Sequence, residues 1–335
     1  MPVKFGVLLP QGWHLDLVDI TDPIEKYEAM TRVAQEAERL GLDSVWLYDH
    51  FHTVPTAQLE TNFEAWMCTA ALARDTTTIR IGQMVTCNSY RNPALLAKMA
   101  STVDVMSHGR LDFGIGAGWY EDEYRAYGYD YPDGPTRLKM LREALKIIHA
   151  MWKDDYATFE GKFYSVNGAI NEPKGVQKPH IPIWIGGGGE KVTLKLVAQY
   201  GDACNIGGTD PAVYRRKYGI LKEHCETVGR DYNDIIKSAE VFTFLLKSGQ
   251  RAEDATAKAR RDVSPLAGHD VGLQEFQTAG YRGYPPSFVG SPQQCIDVYG
   301  SLIDAGVEYI LAYLGDIVHL ETLQMLAEDV VPAFR

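Results

Sequence analysis

Asp43-Ser44-Val45-Trp46-Leu47-Tyr48-Asp49-His50-Phe51 is the stretch on which the reading of the fold turns. Val45 to Tyr48 are consecutive strand formers, the pattern of a parallel strand covered on both faces, and the run stops at an acid, a histidine and an aromatic. A buried strand that ends this way delivers polar groups to a cleft at its carboxyl end, so Asp49 and His50 are the first candidates for chemistry. The same unit repeats in both directions. Short apolar runs stand at residues 5–9, 79–86, 111–115, 181–185, 202–206, 236–246 and 307–314. Each leads into residues of helical period, such as Tyr27, Met30, Val33, Ala34, Ala37 and Leu40, or Leu138, Leu141, Leu145, Ile148 and Trp152. Pro23, Pro93 and Ser291-Pro292 open helices, and Gly41, Gly109 and Gly306 close them.

Strand–helix units in this number, with no linker of disordered composition, predict an α/β fold. It is a single (β/α)8 TIM barrel over residues 1–335, in preference to a doubly wound open sheet. Two stretches break the rhythm. Residues 156–179, after the fourth helix, read as a hairpin insertion turning on Gly161; residues 250–290, after the seventh strand, read as an insertion or lid with a charged helix at 252–263. In a barrel the loops after the strands share one face, which brings distant motifs together.

The 335 residues are 45% hydrophobic and 23% charged, enough to bury one large core or two small ones. A net charge of −11 argues against long-range attraction to nucleic acid or an anionic membrane. Five cysteines, odd in number and without a Cys-x-x-Cys pair, suggest neither a disulfide framework nor a zinc knuckle, and point to a reduced, cytoplasmic protein. Residues 1–10 read as a first strand and not a signal peptide, and no apolar run reaches membrane-spanning length.

Ile185-Gly186-Gly187-Gly188-Gly189-Glu190 follows the fifth strand and is expected to lead straight into a helix. Residues without side chains let backbone N–H groups approach an anion, and the positive helix end adds attraction, so a phosphate monoester is the natural guest; a flexible connector is the plain alternative. Gly207, Gly208 and Thr209, after the sixth strand, are placed on the same group. Gly114-Ile115-Gly116-Ala117-Gly118-Trp119-Tyr120-Glu121-Asp122-Glu123 gives the fourth strand a small-residue exit, with room for a flat ring or simply for packing, followed by aromatics and carboxylates. His50-Phe51-His52 also permits a metal reading. Later strands offer no further histidine, since the sixth ends in Asn205-Ile206-Gly207, so no metal is expected.

Together these residues resemble the bacterial luciferase-like group of flavin and deazaflavin oxidoreductases, and within it the actinobacterial branch that uses coenzyme F420. The resemblance is carried by residues 44–51, by Gly82-Gln83-Met84-Val85-Thr86 through Tyr90-Arg91-Asn92-Pro93, by Ser107-His108-Gly109-Arg110 with Gly114–Trp119, and by the Gly186–Gly189 run. It implies a flat redox ring in the barrel mouth, its phosphate at Gly187–Gly189 and Gly207–Thr209, and hydride transfer to or from a small-molecule substrate. It also implies a non-proline cis peptide near Met84–Val85, against which the ring leans with Thr86, Gly116, Gly118 and Trp119 close by, and a homodimer. The sugar-phosphate dehydrogenases of this family have a tryptophan a few residues after Asp-His-Phe, where this chain has Thr53-Val54.

The leading expectation is an F420-dependent hydride transfer. His50 gives or takes a proton, Asp49 sets its orientation and tautomer, and Glu123 is a second candidate acid or base. Trp46, Trp119 and Tyr120 are expected to shape the pocket, with Arg91 or Lys98 facing the anionic F420 tail. An FMN-dependent monooxygenase keeps the same phosphate site and is the alternative. A metal hydrolase built on His50 and His52, and a cofactor-binding protein without catalysis, are further readings.

Overall fold

Strand alternation divides the interior into two cores. Val45 and Leu47 pack outward with Phe5, Val7, Ile81 and Phe113 against the helices, whereas Trp46 packs inward with Trp184, Tyr309 and Leu311. The computed structural model, which describes residues 2–281 and 283–335, is the expected closed parallel barrel. Its strands are β1 Lys4–Leu8, β2 Ser44–Leu47, β3 Arg80–Gln83, β4 Leu111–Gly116, β5 Ile183–Gly186, β6 Ala203–Gly207, β7 Ile236–Leu245 and β8 Tyr309–Leu314. Closure comes from β7, which pairs with both β6 and β8, and from β8 on β1, where Lys4 lies opposite Tyr309.

Trp46 fills the barrel's centre. Its indole donates to Ser44 Oγ at 2.6 Å and lies edge-on to Trp184, with ring centroids 4.7 Å apart. A Cβ at Gly82 would stand 2.4 Å from that indole, so a residue without a side chain on β3 is what admits it. The Tyr309 hydroxyl donates to the same Ser44 oxygen at 2.6 Å. Trp46 is therefore a buried plug below the mouth, and the expectation that it shapes the pocket is corrected.

Helix entries follow their sequence signals. Asp22 and Asn92 accept from the first free amides of Pro23–Arg39 and Pro93–Met106, and Ser291 with Gln294 forms a capping box at Pro292–Ile303. Departures have local causes. The helix after β5 begins at Thr193 and not at 190, because Val192 offers no capping side chain and the chain turns first. The closing segment is not one continuous helix but a short α-helix Glu321–Met325, a π-helical turn Leu326–Val330 and a 3-10 turn Val331–Phe334. Pro332 has no amide to continue the ladder, and its ring crowds the carbonyl four residues back.

β3 is interrupted. Pairing with β4 resumes at Thr86–Cys87, and between the two pieces the Met84–Val85 peptide is cis, where the family resemblance put it. Ala157–Glu160 and Ser165–Ala169 form an antiparallel hairpin whose turn is held by Gly161 N–H to Tyr164 O and by Glu143, which accepts from the amides of Lys162 and Phe163. Within 250–290, apart from residue 282, which lies outside the described residues, there are helices Ala252–Ala255, Ala257–Ala267 and Leu273–Thr278. Phe288–Gly290 then adds in parallel to β7.

Candidate active site

At the end of β2 successive side chains leave in opposite directions. Asp49 turns into the wall: Oδ2 accepts the Cys87 amide at 2.9 Å, and Arg91 grips the carboxylate with two nitrogens at 2.6 and 2.9 Å. It thereby ties the loop after β2 to the exit of the β3 bulge. Arg91 also meets Glu64, so it is engaged inside the wall, while Lys98 donates to Glu172 O on the exposed side. His50 turns the other way, into the mouth, and its partner is Glu123, not Asp49. His50 Nδ1 lies 2.7 Å from Glu123 Oε2.

Glu123 is fully buried on a short helix, Glu121–Ala126, where the sequence suggests only a loop. Its Oε1 accepts the amides of Phe51 and His52 at 2.7 and 3.3 Å, and its Oε2 also accepts the Tyr90 hydroxyl at 2.7 Å. Burial pushes this carboxyl up, but the bonds from His50, Tyr90 and the Phe51 amide outweigh it and hold the group below its ordinary value. A charged carboxylate can only accept, so His50 Nδ1 carries the proton and Nε2 is the nitrogen left for the cavity. Trp13 lies parallel to the imidazole, 4.1 Å away and tilted by 3°, which fixes the ring's plane.

The mouth holds a cavity of about 490 Å³ lined by Trp13, Tyr48, Asp49, His50, Met84, Val85, Thr86, Cys87, Trp119, Tyr120 and Glu240, among others. A second space of about 300 Å³ adjoins it through Met84, Val85, Gly118, Trp119 and Glu240, and reaches Gly116, Gly186, Gly187 and Thr193. The small exit of β4 first makes room for the bulge. A Cβ at Gly114 would stand 1.7 Å from Gln83 O, and one at Gly116 would stand 2.7 Å from a Val85 methyl. On β5, a Cβ at Gly186 would lie 2.9 Å from Val85.

In the glycine loop the Gly187 amide donates to Asn205 O at 3.1 Å. No intramolecular hydrogen bond is made by the amides of Gly188, Gly189 or Glu190 among the described residues. Lys217, with its Nζ 2.5 Å from Gly188 O, brings positive charge to the same loop. Gly207 borders both the main cavity and a further space of about 420 Å³, which Gly208 and Thr209 face with Gln277 and Pro286. The structure thus brings His50, Met84–Thr86, Gly116, Gly118, Trp119 and Gly186–Gly187 around adjoining spaces, keeps Glu123 buried behind His50, and leaves Thr209 on a third space that shares Gly207 and Pro285 with the first. Side-chain-free residues beside Val85 and unpaired amides beside Lys217 fit a planar ring carrying a phosphate tail. Among the described residues no group of three or more His, Cys, Asp or Glu side chains is placed to hold a metal ion.

Trp13, Cys87 and Glu240 are among the mouth residues that escaped the sequence reading. Trp13 follows Pro10-Gln11-Gly12 beyond β1, Cys87 follows the bulge, and Glu240 is an acid inside an otherwise mostly uncharged strand. Only Glu240 left a signal in the sequence, a charge interrupting a buried run.

A closed parallel barrel with a buried glutamate–histidine pair at the carboxyl ends of its strands defines a TIM-barrel enzyme. The chain belongs to the luciferase-like monooxygenase family, whose model matches residues 3–309, and is an oxidoreductase. An F420-dependent glucose-6-phosphate dehydrogenase from Amycolatopsis mediterranei (strain U-32) is 27% identical over 321 residues, covering 91% of this chain and 94% of that one. A protein of the same name from Microbacterium testaceum (strain StLB037) is 32% identical over 235 residues, 69% of this chain and 67% of that one. Among solved structures, an F420-dependent secondary alcohol dehydrogenase in complex with an F420-acetone adduct superimposes with a TM-score of 0.80 at 21% identity over the whole of both chains. EDTA monooxygenase from Chelativorans sp. BNC1 does so with 0.80 at 15%, over 100% of this chain and 94% of that one. At those identities the likeness is one of fold. No helix among the described residues is long and apolar enough to cross a membrane.

Proposed function

We propose that this chain is an F420-dependent oxidoreductase that transfers a hydride between the deazaflavin and a small organic substrate. The observation that carries the reading is the space where the Met84–Val85 bulge meets Gly116 and Gly186, open to the cavity that holds His50. The names of the two dehydrogenase relatives support F420 over FMN. Met84, Val85, Thr86, Gly116, Gly118 and Trp119 would hold the ring, with Asp49 keeping that wall in place. The Gly186–Gly189 loop, with Gly207, Gly208 and Thr209 beyond it, would take the phosphate. When bound, the coenzyme supplies the carbon that gives or accepts the hydride.

The rest falls to this chain's side chains. His50 presents Nε2 to a substrate oxygen and exchanges a proton with it, a task imidazole suits near neutral pH. Glu123 holds Nδ1–H and so decides which nitrogen faces the substrate, while Trp13 keeps the ring in one plane. Tyr48, Trp119 and Tyr120 give the cavity around this exchange an aromatic lining. The proposal extends to a cytoplasmic homodimer, supported by five free, buried cysteines and by the family resemblance.

Titration of the purified protein with F420 and with FMN, followed by absorbance and ring fluorescence, tests the reading. F420 binding at least about tenfold tighter than FMN is the expected outcome. Tighter binding of FMN would favour a monooxygenase, the reading that fits a fold neighbour solved with FMN. Binding of neither would sink both.

A further inference from the structure

Glu240 borders both adjoining spaces and has no part in the proposed proton path. Strand register fixes it: it stands opposite Gly207 on β6 and Leu311 on β8, and its carbonyl accepts the Gly208 amide at 3.1 Å. Its side chain is half-buried. Oε1 accepts the Tyr48 hydroxyl at 2.7 Å, while Oε2 has no hydrogen-bond partner among the described residues. The other carboxylates of the mouth are matched, Asp49 by Arg91 and Glu123 by His50. Among the described residues no lysine or arginine is paired with Glu240 or lines the larger cavity. Trp13, Phe242 and Tyr284 supply apolar walls around it.

We propose that Glu240 is the specificity-determining residue. It selects a substrate with an apolar, ring-sized body and a hydroxyl or protonated amine that donates to Oε2, and it disfavours phosphorylated and carboxylated molecules. The proposal deepens the oxidoreductase reading and rests on it. A carboxylate with one oxygen left to accept, in a partly desolvated cavity, attracts an ammonium group, accepts from a hydroxyl and repels an anion. A space of about 490 Å³ falls in the range that encloses a small organic molecule. Burial pushes the Glu240 carboxyl up to about 7 against the opposing bond from Tyr48, so its charge is present in mildly alkaline solution.

The test uses cofactor-free protein at about pH 8, above the shifted value and below that of an alkylamine. Quenching of tryptophan fluorescence reports binding of phenethylamine, phenethyl alcohol, phenylacetate and glucose 6-phosphate. The amine is expected to bind most tightly and phenylacetate at least about tenfold more weakly, with the alcohol between. Glu240→Gln should bring the aromatic probes within about twofold of one another. Tyr48→Phe, which keeps the carboxylate, should retain the order. Equal or tighter binding of phenylacetate or glucose 6-phosphate, an unchanged order in Glu240→Gln, or no saturable quenching by any probe would overturn the proposal. A parallel F420 titration separates the two readings. Failure of F420 to bind strikes only the oxidoreductase assignment, because the probe order is measured without it. Lost F420 affinity in Glu240→Gln with the probe order unchanged assigns the carboxylate to the coenzyme and refutes the substrate role.

Discussion

Replacing Glu123 by glutamine alters little in shape and much in hydrogen bonding. Each carboxylate oxygen accepts from two donors, Oε1 from the amides of Phe51 and His52, and Oε2 from His50 Nδ1 and the Tyr90 hydroxyl. Glutamine turns one of these oxygens into an NH2 group that faces donors, and the site is fully buried. The Tyr90 hydroxyl can rotate and the imidazole can move its proton to Nε2, whereas the two amides are fixed. One to two donors therefore lose an acceptor, at about 2 kcal/mol each, for a loss of about 2–4 kcal/mol. A chain of 335 residues unfolds with an entropy on the order of 0.7 kcal/mol/K, so Tm should fall by about 3–6 °C near neutral pH. The pH dependence is a second check. Glu123 has its folded pKa depressed, so its contribution is present above the unfolded carboxylate value of about 4.3 and is lost as pH falls through the folded value. Thermal melts of wild type and Glu123→Gln, followed by circular dichroism without coenzyme, should differ most near neutrality and converge in acid. Equal melting temperatures at neutral pH, or a gap that does not close in acid, would refute the charged-carboxylate account of this site.

Two further outcomes follow from the same geometry. Gly118 has φ +77°, and a Cβ there would stand 2.0 Å from the Tyr124 hydroxyl, whereas Gly128 has φ +75° and open space around it. In urea unfolding, Gly118→Ala should cost about 3 kcal/mol and Gly128→Ala only about 1–2, and equal losses would refute the steric argument. Glu240 has its folded value raised to about 7, so the folded state keeps a proton that the unfolded chain has released, and this group lowers stability as pH climbs from about 4.3 to 7. Glu240→Gln should therefore be more stable than wild type by about 2–3 kcal/mol at pH 8 and indistinguishable from it near pH 4, as read from urea midpoints at each pH.

The barrel was legible because its information is local. A run such as Val45–Leu47, the helical period after it and the capping signals at Asp22, Asn92 and Ser291 each specify one element, and repetition of the unit specifies closure. Local signals failed where a neighbouring residue set the outcome, as at Val192, which cannot cap the helix after β5, and at Pro332, which breaks the closing helix.

By itself the sequence determined which residues reach the mouth: the polar end of β2, the glycines beyond β4 and β5, and the region of the bulge. Only the tertiary structure decided whom they meet. Asp49 and His50 are adjacent in the chain and look like a pair, yet strand alternation sends them to opposite sides. Asp49 meets Arg91, and His50 meets Glu123, 73 residues away. Trp46 reads like a pocket wall and is a plug, because the same alternation turns it into the barrel below the mouth. Trp13 over the imidazole and Glu240 on the cavity floor depend on barrel closure, which sets loops and strands distant in sequence side by side. Periodicity fixes the face a residue occupies, but its partner across that face depends on the register of every strand between them.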